Sequence, residues 1–283
     1  MGKINRIRRF LSGDSAPVEE STETEIHVPQ VESEAGEENP NTRWLKVYED
    51  TKHTKMDEFL TIVMTTYNRP ETAIPTLKSL VTNLHYNKRR WIIADDGSPE
   101  DYITALRELI DTGESVEVTN AGRRGVGVSK NLALRLAFQS SPLVFLTEDD
   151  WLLEKPLDPT VYMATLMDHP NAGMVRCGYL AYDMGLKMEA YNGMTYLRLM
   201  PGSGVYVYSG QCSFRSYNFY KTIGFHAEGI SAGEEELNMC YRYNAHPNPP
   251  QILWPGDQGL HFQSSYFKNI GFGNSQNAVQ PES

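Results

Sequence analysis

Between residues 59 and 150, short apolar runs alternate with segments of helical periodicity. The runs are FLTIVM, RWIIA, SVEV and PLVFL, and the segments PETAIPTLKSLVTNL, PEDYITALRELI and SKNLALRLAF separate them. Strands that alternate with helices favour right-handed crossovers, so this pattern predicts a mostly parallel sheet with helices on both faces. The chain is therefore expected to have an α/β fold.

Polar motifs follow three of these runs directly. TTYNR ends the first run, ADDGS the second and TEDDW the fourth. In open parallel sheets, ligands bind beyond the carboxyl ends of the strands. We therefore expect the three motifs to meet at one edge of the sheet, although they are far apart along the chain.

The periodicity weakens after Trp151. The segments GMVRCGYLAYDMGLKMEAYNG and GSGVYVYSGQCSFR favour shorter, partly antiparallel strands, which would form a smaller C-terminal part. SYNFYKTIGF predicts a helix that stops at Gly224, and GEEELNMCYRYN predicts another. Roughly the last 40 residues are rich in Pro, Gly and Asn and are expected to form loops around the site.

Composition separates the N-terminus from the rest. Residues 12–42 contain nine acidic side chains, no Lys or Arg and few large apolar residues, so we expect residues 1–43 to be a disordered acidic tail. The basic segment 1–11, MGKINRIRRFL, could dock as a short helix on an anionic membrane or a protein, or it could be a frayed terminus. Residues 44–283 are expected to form a single domain.

Charge, hydropathy and cysteine usage exclude several classes of protein. The formal net charge of −10 arises mainly in the acidic tail, so the chain carries no strong nucleic-acid signal. No apolar run reaches the roughly 18 residues that a membrane-spanning helix needs. Cys177, Cys212 and Cys240 lack metal-site spacing and are expected to be buried reduced thiols. We expect a cytoplasmic location, with peripheral membrane attachment left open.

Each acidic motif allows two interpretations. Glu148, Asp149 and Asp150 could form a solvated turn or bind Mg²⁺ or Mn²⁺ together with substrate phosphates. Asp95 and Asp96 could cap the helix that begins at Pro99, or could accept a hydrogen bond from a base or a ribose.

The glutamates of GEEEL also have two interpretations. Glu234, Glu235 and Glu236 would be favoured by the dipole of a helix start, or one of them could act as a general base. In the Gly-rich segment NAGRRGVGVSKN, Arg123 and Arg124 could contact phosphate oxygens, although the spacing is not that of a P-loop.

The order of these motifs resembles that of the family-two, inverting glycosyltransferases of the GT-A fold, which is Rossmann-like. The resemblance rests on TIVMTTYNRPETAIPTLKSL, WIIADDGS, NAGRRGVGVSKNLALRLA, VFLTEDDW, SFRSYNFYKTIGF and GEEEL, and it covers Phe59 to about Tyr243. It implies a nucleotide-binding half at about 59–151 and an acceptor-binding half at about 152–283. It also implies a nucleotide-sugar donor, with a UDP-sugar expected first, and a hydroxyl acceptor on a glycan, lipid or protein.

The resemblance assigns roles residue by residue. It implies that the base, ribose and phosphates of the donor contact one set of residues (Thr65, Tyr67, Asn68, Arg69, Asp95, Asp96, Arg124, Glu148 and Asp149). Asp150 would be the metal ligand, with His261 from a C-terminal loop as a second ligand. Glu234 or Glu235 would be the catalytic base, and both Glu148 and these glutamates stand where the family usually has Asp.

Two other functions remain as alternatives. One is a catalytically inactive protein that binds sugar nucleotides or acts as a scaffold. The other is a sugar nucleotidyltransferase, which would need a Gly-rich loop with Arg and Lys after the first strand, and TTYNRPE does not supply one.

Overall fold

The computed structural model of the protein describes residues 59–110, 113–180, 184–259 and 264–271. All of these residues belong to one compact unit. The acidic tail and the basic segment 1–11 lie outside the described residues, so disorder and membrane docking stay predictions.

The described residues form strands and helices in alternation. The strands are β1 (Leu60–Thr66), β2 (Arg89–Asp95), β3 (Ser115–Asn120), β4 (Leu143–Glu148), β5 (Trp151–Leu153), β6 (Ala172–Arg176), β7 (Leu186–Tyr191), β8 (Met194–Leu199), β9 (Ser213–Ser216), β10 (Gln251–Pro255) and β11 (Phe267–Asn269). The helices are α1 (Pro70–Asn83), α2 (Glu100–Arg107), α3 (Val126–Ala137), α4 (Thr160–Asp168), α5 (Tyr217–Ile223) and α6 (Ala232–Ala245). Two short 3₁₀ turns lie at Val205–Val207 and Gly256–Gln258.

Nine strands form one sheet in the order β3-β2-β1-β4-β9-β6-β10-β8-β7. The four strands β3, β2, β1 and β4 are parallel to one another, as the alternating pattern predicts. β9 is antiparallel to β4 and β6, and β8 is antiparallel both to β10 and to β7, with which it forms a hairpin. The α/β fold and the smaller antiparallel part are therefore confirmed. β5 and β11 form a separate two-stranded sheet.

Helices cover both faces of the sheet. Successive side chains of the central strands point to opposite sides, and both sets are apolar, so each face must be buried. Ile62, Ile93 and Phe145 face a core cluster that also contains Leu77 and Leu80 of α1, together with residues of α2 and α4. Their chain neighbours Val63, Ile92 and Val144 face a second cluster that includes residues of α3, α5 and α6. The near-continuous apolar runs of the sequence therefore reflect burial on both faces.

Two expectations about the C-terminal half were wrong. Residues 251–255, QILWP, do not form a loop; they are β10, which pairs with β6 and β8 inside the sheet. Ile252, Leu253 and Trp254 are fully buried there, and this burial stabilises a strand that ends at a proline. In GSGVYVYSGQCSFR, only Ser213–Ser216 is a strand, and Val205–Val207 forms a 3₁₀ turn.

The expectations for α5 and for the cysteines hold. α5 ends at Gly224, whose φ of 92° suits a residue without a side chain. The three cysteines are free and buried. Trp151 and Trp254 are both core residues. Among the described residues, no helix has the length and apolar character needed to cross a membrane.

Candidate active site

The carboxyl ends of β1, β2 and β4 lie level with one another. Thr65 of β1 is in register with Ala94 of β2 and with Glu148 of β4. Beyond these ends lies a cleft of about 310 Å³ whose lining comes from five segments of the chain: Thr65, Thr66, Tyr67, Arg69, Asp96, Val126, Ser129, Glu148, Asp149 and Ala232. The structure thus brings the motifs TTYNR, ADDGS and TEDDW together at one edge of the sheet.

Asp95 and Asp96 have different environments. The Asp95 carboxylate is fully buried and accepts hydrogen bonds from the amides of Gly97 and Ser98, both at 2.9 Å. Asp95 therefore holds the turn after β2. Asp96 lines the cleft, and its Oδ1 accepts a hydrogen bond of 2.9 Å from the amide of Gly125, just before α3. Of the two, only Asp96 faces the space where a donor would lie.

Asp149 and Asp150 share one cation, Arg69. The Arg69 guanidinium donates to Asp149 Oδ1 at 2.9 Å and lies 3.5 Å from Asp150 Oδ2. Thr66 Oγ1 also donates to Asp149, at 2.8 Å. Burial raises the pKa of Asp149 to about 6, although Arg69 and Thr66 favour its charged form. Arg69 therefore neutralises part of the acidic motif within the protein itself.

Asp150 retains an unused acceptor. Its Oδ1 is buried and has no hydrogen-bond partner among the described residues. Its other oxygen, Oδ2, contacts the backbone of Gly271, where a Cβ would come within 2.1 Å of it. A buried carboxylate oxygen without a donor is costly unless a ligand satisfies it, so Asp150 fits the chemistry of a hard divalent cation.

The described residues nevertheless do not contain a complete metal centre. Among them, no group of three or more His, Cys, Asp and Glu side chains is arranged to hold an ion. His261, the second expected ligand, lies outside the described residues.

Glu148 is bound to a lysine that sequence analysis did not single out. Lys130 of α3 is fully buried, and its Nζ lies 3.2 Å from Glu148 Oε1 and 3.2 Å from Glu235 Oε2. Loss of hydration raises the pKa of Glu148; Lys130 opposes this effect, and Asp150 and Glu236 add repulsion. The buried ammonium group therefore links the TEDDW motif to helix α6.

The three successive glutamates at the start of α6 have three different roles. Glu234 is exposed and forms a capping box with Ser231, whose amide donates to Glu234 Oε2 at 3.0 Å. Glu235 is buried and is held by Lys130 and by His226 Nδ1. Glu236 is half-buried and accepts from Ser209 Oγ at 2.9 Å and from the Gly210 amide at 2.7 Å.

The charge of Glu235 is fixed by its neighbours. Burial alone would raise its pKa, but Lys130 and His226 together lower the pKa well below the ordinary value. Burial also lowers the pKa of His226 to about 4, although Glu235 acts in the opposite direction. A neutral His226 can donate its Nδ1 proton to the Glu235 carboxylate, so the pair is stable as neutral imidazole and anionic carboxylate.

Glu236 lies close to Glu148. A Cβ on Gly210 would lie 3.4 Å from Glu148 Oε1, 3.5 Å from Glu236 Oε1 and 3.6 Å from Lys130 Nζ, so these groups surround one point. The helical period brings Glu236 to this side of α6 while Glu234 faces solvent. Of the three glutamates, Glu236 has the partly exposed carboxylate that adjoins the acidic motif.

Of the remaining predicted residues, Tyr67 lines the cleft, whereas Asn68 and Arg124 do not. The Tyr67 ring is 37% exposed, and the Arg123 guanidinium lies 5.3 Å from its centroid. Asn68 is exposed and its amide donates to Ser98 Oγ. Arg124 is exposed, donates to the Ala121 carbonyl at 2.8 Å and does not line the cleft, so its side chain would have to move to reach a phosphate there.

Sequence reasoning missed Lys130 and His226 and gave Glu236 no role of its own. A lysine within the apolar face of a helix was a visible signal for Lys130, because an unpaired lysine is rarely buried. His226 gave no such signal, since only the fold brings it to α6. The three glutamates could not be told apart before their helical phase was known.

Two larger cavities lie at the other end of the parallel strands. One, of about 380 Å³, is lined by residues such as Phe59, Leu143 and Met163. The other, of about 650 Å³, includes His85 and Lys88. Neither contains a residue that the sequence motifs predict to be functional.

Comparison with known protein families identifies the family of this chain. The model of the family described as glycosyl transferase family 2 matches residues 61–224. The chain belongs to this family. No curated protein matches it.

Solved structures show the fold of this family 2 chain. The S. aureus TarS 1–349 structure in complex with UDP-GlcNAc is 16% identical, with a TM-score of 0.50 over 75% of this chain and 58% of that one. A second S. aureus TarS structure is 16% identical, with a TM-score of 0.51 over 75% and 36%. The mannosyltransferase PcManGT from Pyrobaculum calidifontis is 15% identical, with a TM-score of 0.47 over 78% and 65%. The expected GT-A fold is confirmed, and the chain spans little more than half of TarS 1–349.

Proposed function

We propose that this family 2 chain is an inverting, metal-assisted glycosyltransferase. It would move a sugar from a nucleoside-diphosphate donor to a hydroxyl group of an acceptor. One observation carries the proposal: Asp96, Glu148 and Asp149, at the ends of β2 and β4, line a single cleft, and Glu236 of α6 lies close to Glu148.

The cleft has the features needed to bind a nucleotide. Tyr67 offers a partly exposed ring for a base, and Arg123 above it offers positive charge for phosphate oxygens. Asp96 can accept a hydrogen bond from a base or a ribose through the oxygen that Gly125 does not use. We propose a UDP-sugar as the donor, which is supported by the UDP-GlcNAc in the TarS structure.

Asp150 would hold Mn²⁺ or Mg²⁺ through its unpartnered oxygen, with His261 as a second ligand. A divalent cation there would neutralise charge that develops on the leaving diphosphate. Arg69 already balances Asp149 and lies next to Asp150, so this side chain would orient both carboxylates toward the donor.

Glu236 is our candidate for the general base. Its carboxylate is partly exposed beside Glu148, whereas that of Glu234 caps α6 and that of Glu235 is bound to a lysine and a histidine. Glu236 would take the proton of the acceptor hydroxyl as the oxygen attacks the anomeric carbon opposite the diphosphate, which inverts its configuration. The sequence-based prediction of Glu234 or Glu235 stays open until the three are compared.

The test is release of UDP from UDP-GlcNAc and other UDP-sugars, with Mn²⁺, Mg²⁺ or EDTA. We expect metal-dependent release, and Asp150→Asn should remove the metal dependence of donor binding in calorimetry. Glu236→Gln should lower turnover about 10²–10⁴-fold while donor affinity is kept. If Glu234→Gln or Glu235→Gln has that effect instead, the assignment passes to that residue. Donor binding without any UDP release would contradict the enzyme proposal.

One observation favours the inactive-binder alternative. Glu148 and Asp149 are already paired with Lys130 and Arg69, and such pairs could keep a site folded after catalysis was lost. The same assay separates the two functions, because a binding protein would retain UDP-sugar without releasing UDP.

A further inference from the structure

An exposed apolar platform lies beside Glu236. It consists of Val205, Tyr206 and Tyr241, which are 46%, 46% and 61% exposed. Tyr206 belongs to the 3₁₀ turn, and Tyr241 belongs to α6. The turn lies along α6, because the Val205 carbonyl accepts from Asn244 of that helix and Ser209, three residues after Tyr206, donates to Glu236. Three large apolar side chains are thus exposed next to the proposed base, a position where exposed apolar surface typically serves binding.

The backbone under this platform is held by side chains. Asn244 Nδ2 donates to the carbonyls of Gly204 and Val205, at 3.0 Å and 3.1 Å. The buried guanidinium of Arg176 donates to the carbonyls of Tyr206 and Val207, at 2.7 Å and 3.1 Å. Four successive carbonyls are therefore fixed, so the platform is ordered before any ligand binds, and such preorganisation lowers the entropic cost of binding.

The same segment also positions the base. Ser209 Oγ and the Gly210 amide, a few residues beyond Tyr206, both donate to Glu236 Oε1. The backbone of Val205 and Tyr206 and the Glu236 carboxylate are therefore held by the same segment, residues 204–210.

We propose that Val205, Tyr206 and Tyr241 bind the acceptor, and that the acceptor is a neutral saccharide. The axial C–H groups of a pyranose pack against an aromatic face, while its hydroxyls and the tyrosine hydroxyls remain hydrogen-bonded. Glu236 beside the platform repels anionic groups, which selects against acidic sugars. This inference rests on the proposed function, because it takes Glu236 to face the reaction centre.

The experiment measures saccharide binding by saturation-transfer-difference NMR, with and without UDP. The probes are maltotriose, cellotriose and chitotriose as neutral saccharides, trigalacturonate as an acidic one, and phosphatidylglycerol vesicles as a lipid surface. At least one neutral probe should bind, Tyr206→Ala should weaken it about tenfold, and Tyr206→Phe should retain most of the affinity. Met188→Ala, at an exposed apolar residue of β7, is the matched control and should bind normally.

The outcomes separate the two proposals. UDP release with no neutral saccharide binding, or with binding that Tyr206→Ala leaves intact, overturns the platform while the proposed function stands. Binding that depends on Tyr206 without UDP release from any donor overturns the proposed function instead. Tighter binding of trigalacturonate or of vesicles, lost in Tyr206→Ala, overturns the assignment to a neutral saccharide.

Discussion

Lys130 is a buried cation on which two acidic segments depend. Burial by itself lowers the pKa of Lys130, but Glu148 and Glu235 raise it above the ordinary value, so the ammonium form is stable. Taking such ions out of water is costly, and the cost is offset only while all partners are present. The three side chains therefore act as one unit.

Lys130→Met should leave the Glu148 and Glu235 carboxylates without the cation that they share. We expect the free energy of unfolding to fall by about 3–5 kcal/mol, because the remaining charges are poorly hydrated. Urea unfolding followed by circular dichroism measures the change. Lys130→Arg keeps the charge and should recover part of the loss; equal stability of the Met variant and the wild type would show that the network does not stabilise the fold.

His226 should make the protein sensitive to acid. Its folded pKa of about 4 lies below the ordinary value, so the unfolded chain binds a proton that the native protein excludes between those two values. Stability is therefore fully present above about pH 6.5 and is lost as the pH falls toward 4, by on the order of 3 kcal/mol. The opposite shift of Asp149 works against this trend, since its raised pKa favours the folded state at low pH.

The contribution of His226 is isolated by comparison with a variant. His226→Asn removes the titrating ring and keeps an amide that can donate to Glu235. The difference between the two proteins in unfolding free energy should shrink from pH 7 to pH 4.5, as urea titrations at each pH would reveal. A constant difference would mean that His226 does not titrate in this range.

At the scale of elements, helix α3 packs closely against a neighbouring backbone segment at Gly127. A Cβ on Gly127 would come within 2.0 Å of the Ala227 carbonyl oxygen, which is backbone and cannot rotate away. Gly233 in the first turn of α6 has nothing within 4 Å of its own Cβ position. Alanine substitutions at these two helical glycines therefore form a matched pair of variants, one with a steric clash and one without.

Gly127→Ala should destabilise the protein and shift the 226–228 segment, with an expected fall in the melting temperature. Gly233→Ala should be neutral or stabilise by up to about 1 kcal/mol, because alanine restricts the unfolded chain. Differential scanning calorimetry of both variants measures the contrast. The interpretation fails if the two substitutions change the melting temperature alike.

Local patterns were sufficient for the first half of the fold. The apolar runs and the helical periodicity predicted β1, α1, β2 and β4 because the signals for these elements lie within each segment. β10 could not be found in this way, since QILWP is a short run beside prolines. Its burial depends on β6 and β8, which precede it by many residues.

The site was predictable to a similar extent. Convergence of Asp96 with Asp149 followed from the expectation that both motifs end parallel strands, whose carboxyl ends meet at one edge of a sheet. The partners of Glu235 could not be predicted in this way. Lys130 and His226 reach Glu235 only after α3, α6 and the intervening segment have packed together.

At the scale of the whole molecule, β9 joins the two halves. It lies between β4 of the parallel half and β6 of the C-terminal half, and it is antiparallel to both. Phe214 of β9 packs against Phe145 of β4 and Tyr162 of α4, with ring centroids 4.7 Å and 5.5 Å apart. Unfolding of either half should therefore carry the other with it.

Phe214→Ala should lower the free energy of unfolding by about 3–5 kcal/mol, with Phe214→Leu losing less. Because β9 belongs to both halves, tryptophan fluorescence and far-ultraviolet circular dichroism should still give coincident urea transitions. Two separated transitions would show that residues 59–151 and 152–271 are independent folding units.

The position of β9 has a consequence during synthesis. While the ribosome is still adding residues before Ser213, β4 has only β1 beside it, and its other edge stays open. Unpaired strand edges promote association with other chains. A premature stop ahead of this strand would therefore release a chain prone to aggregate, whereas a stop after β10 would not leave this edge uncovered.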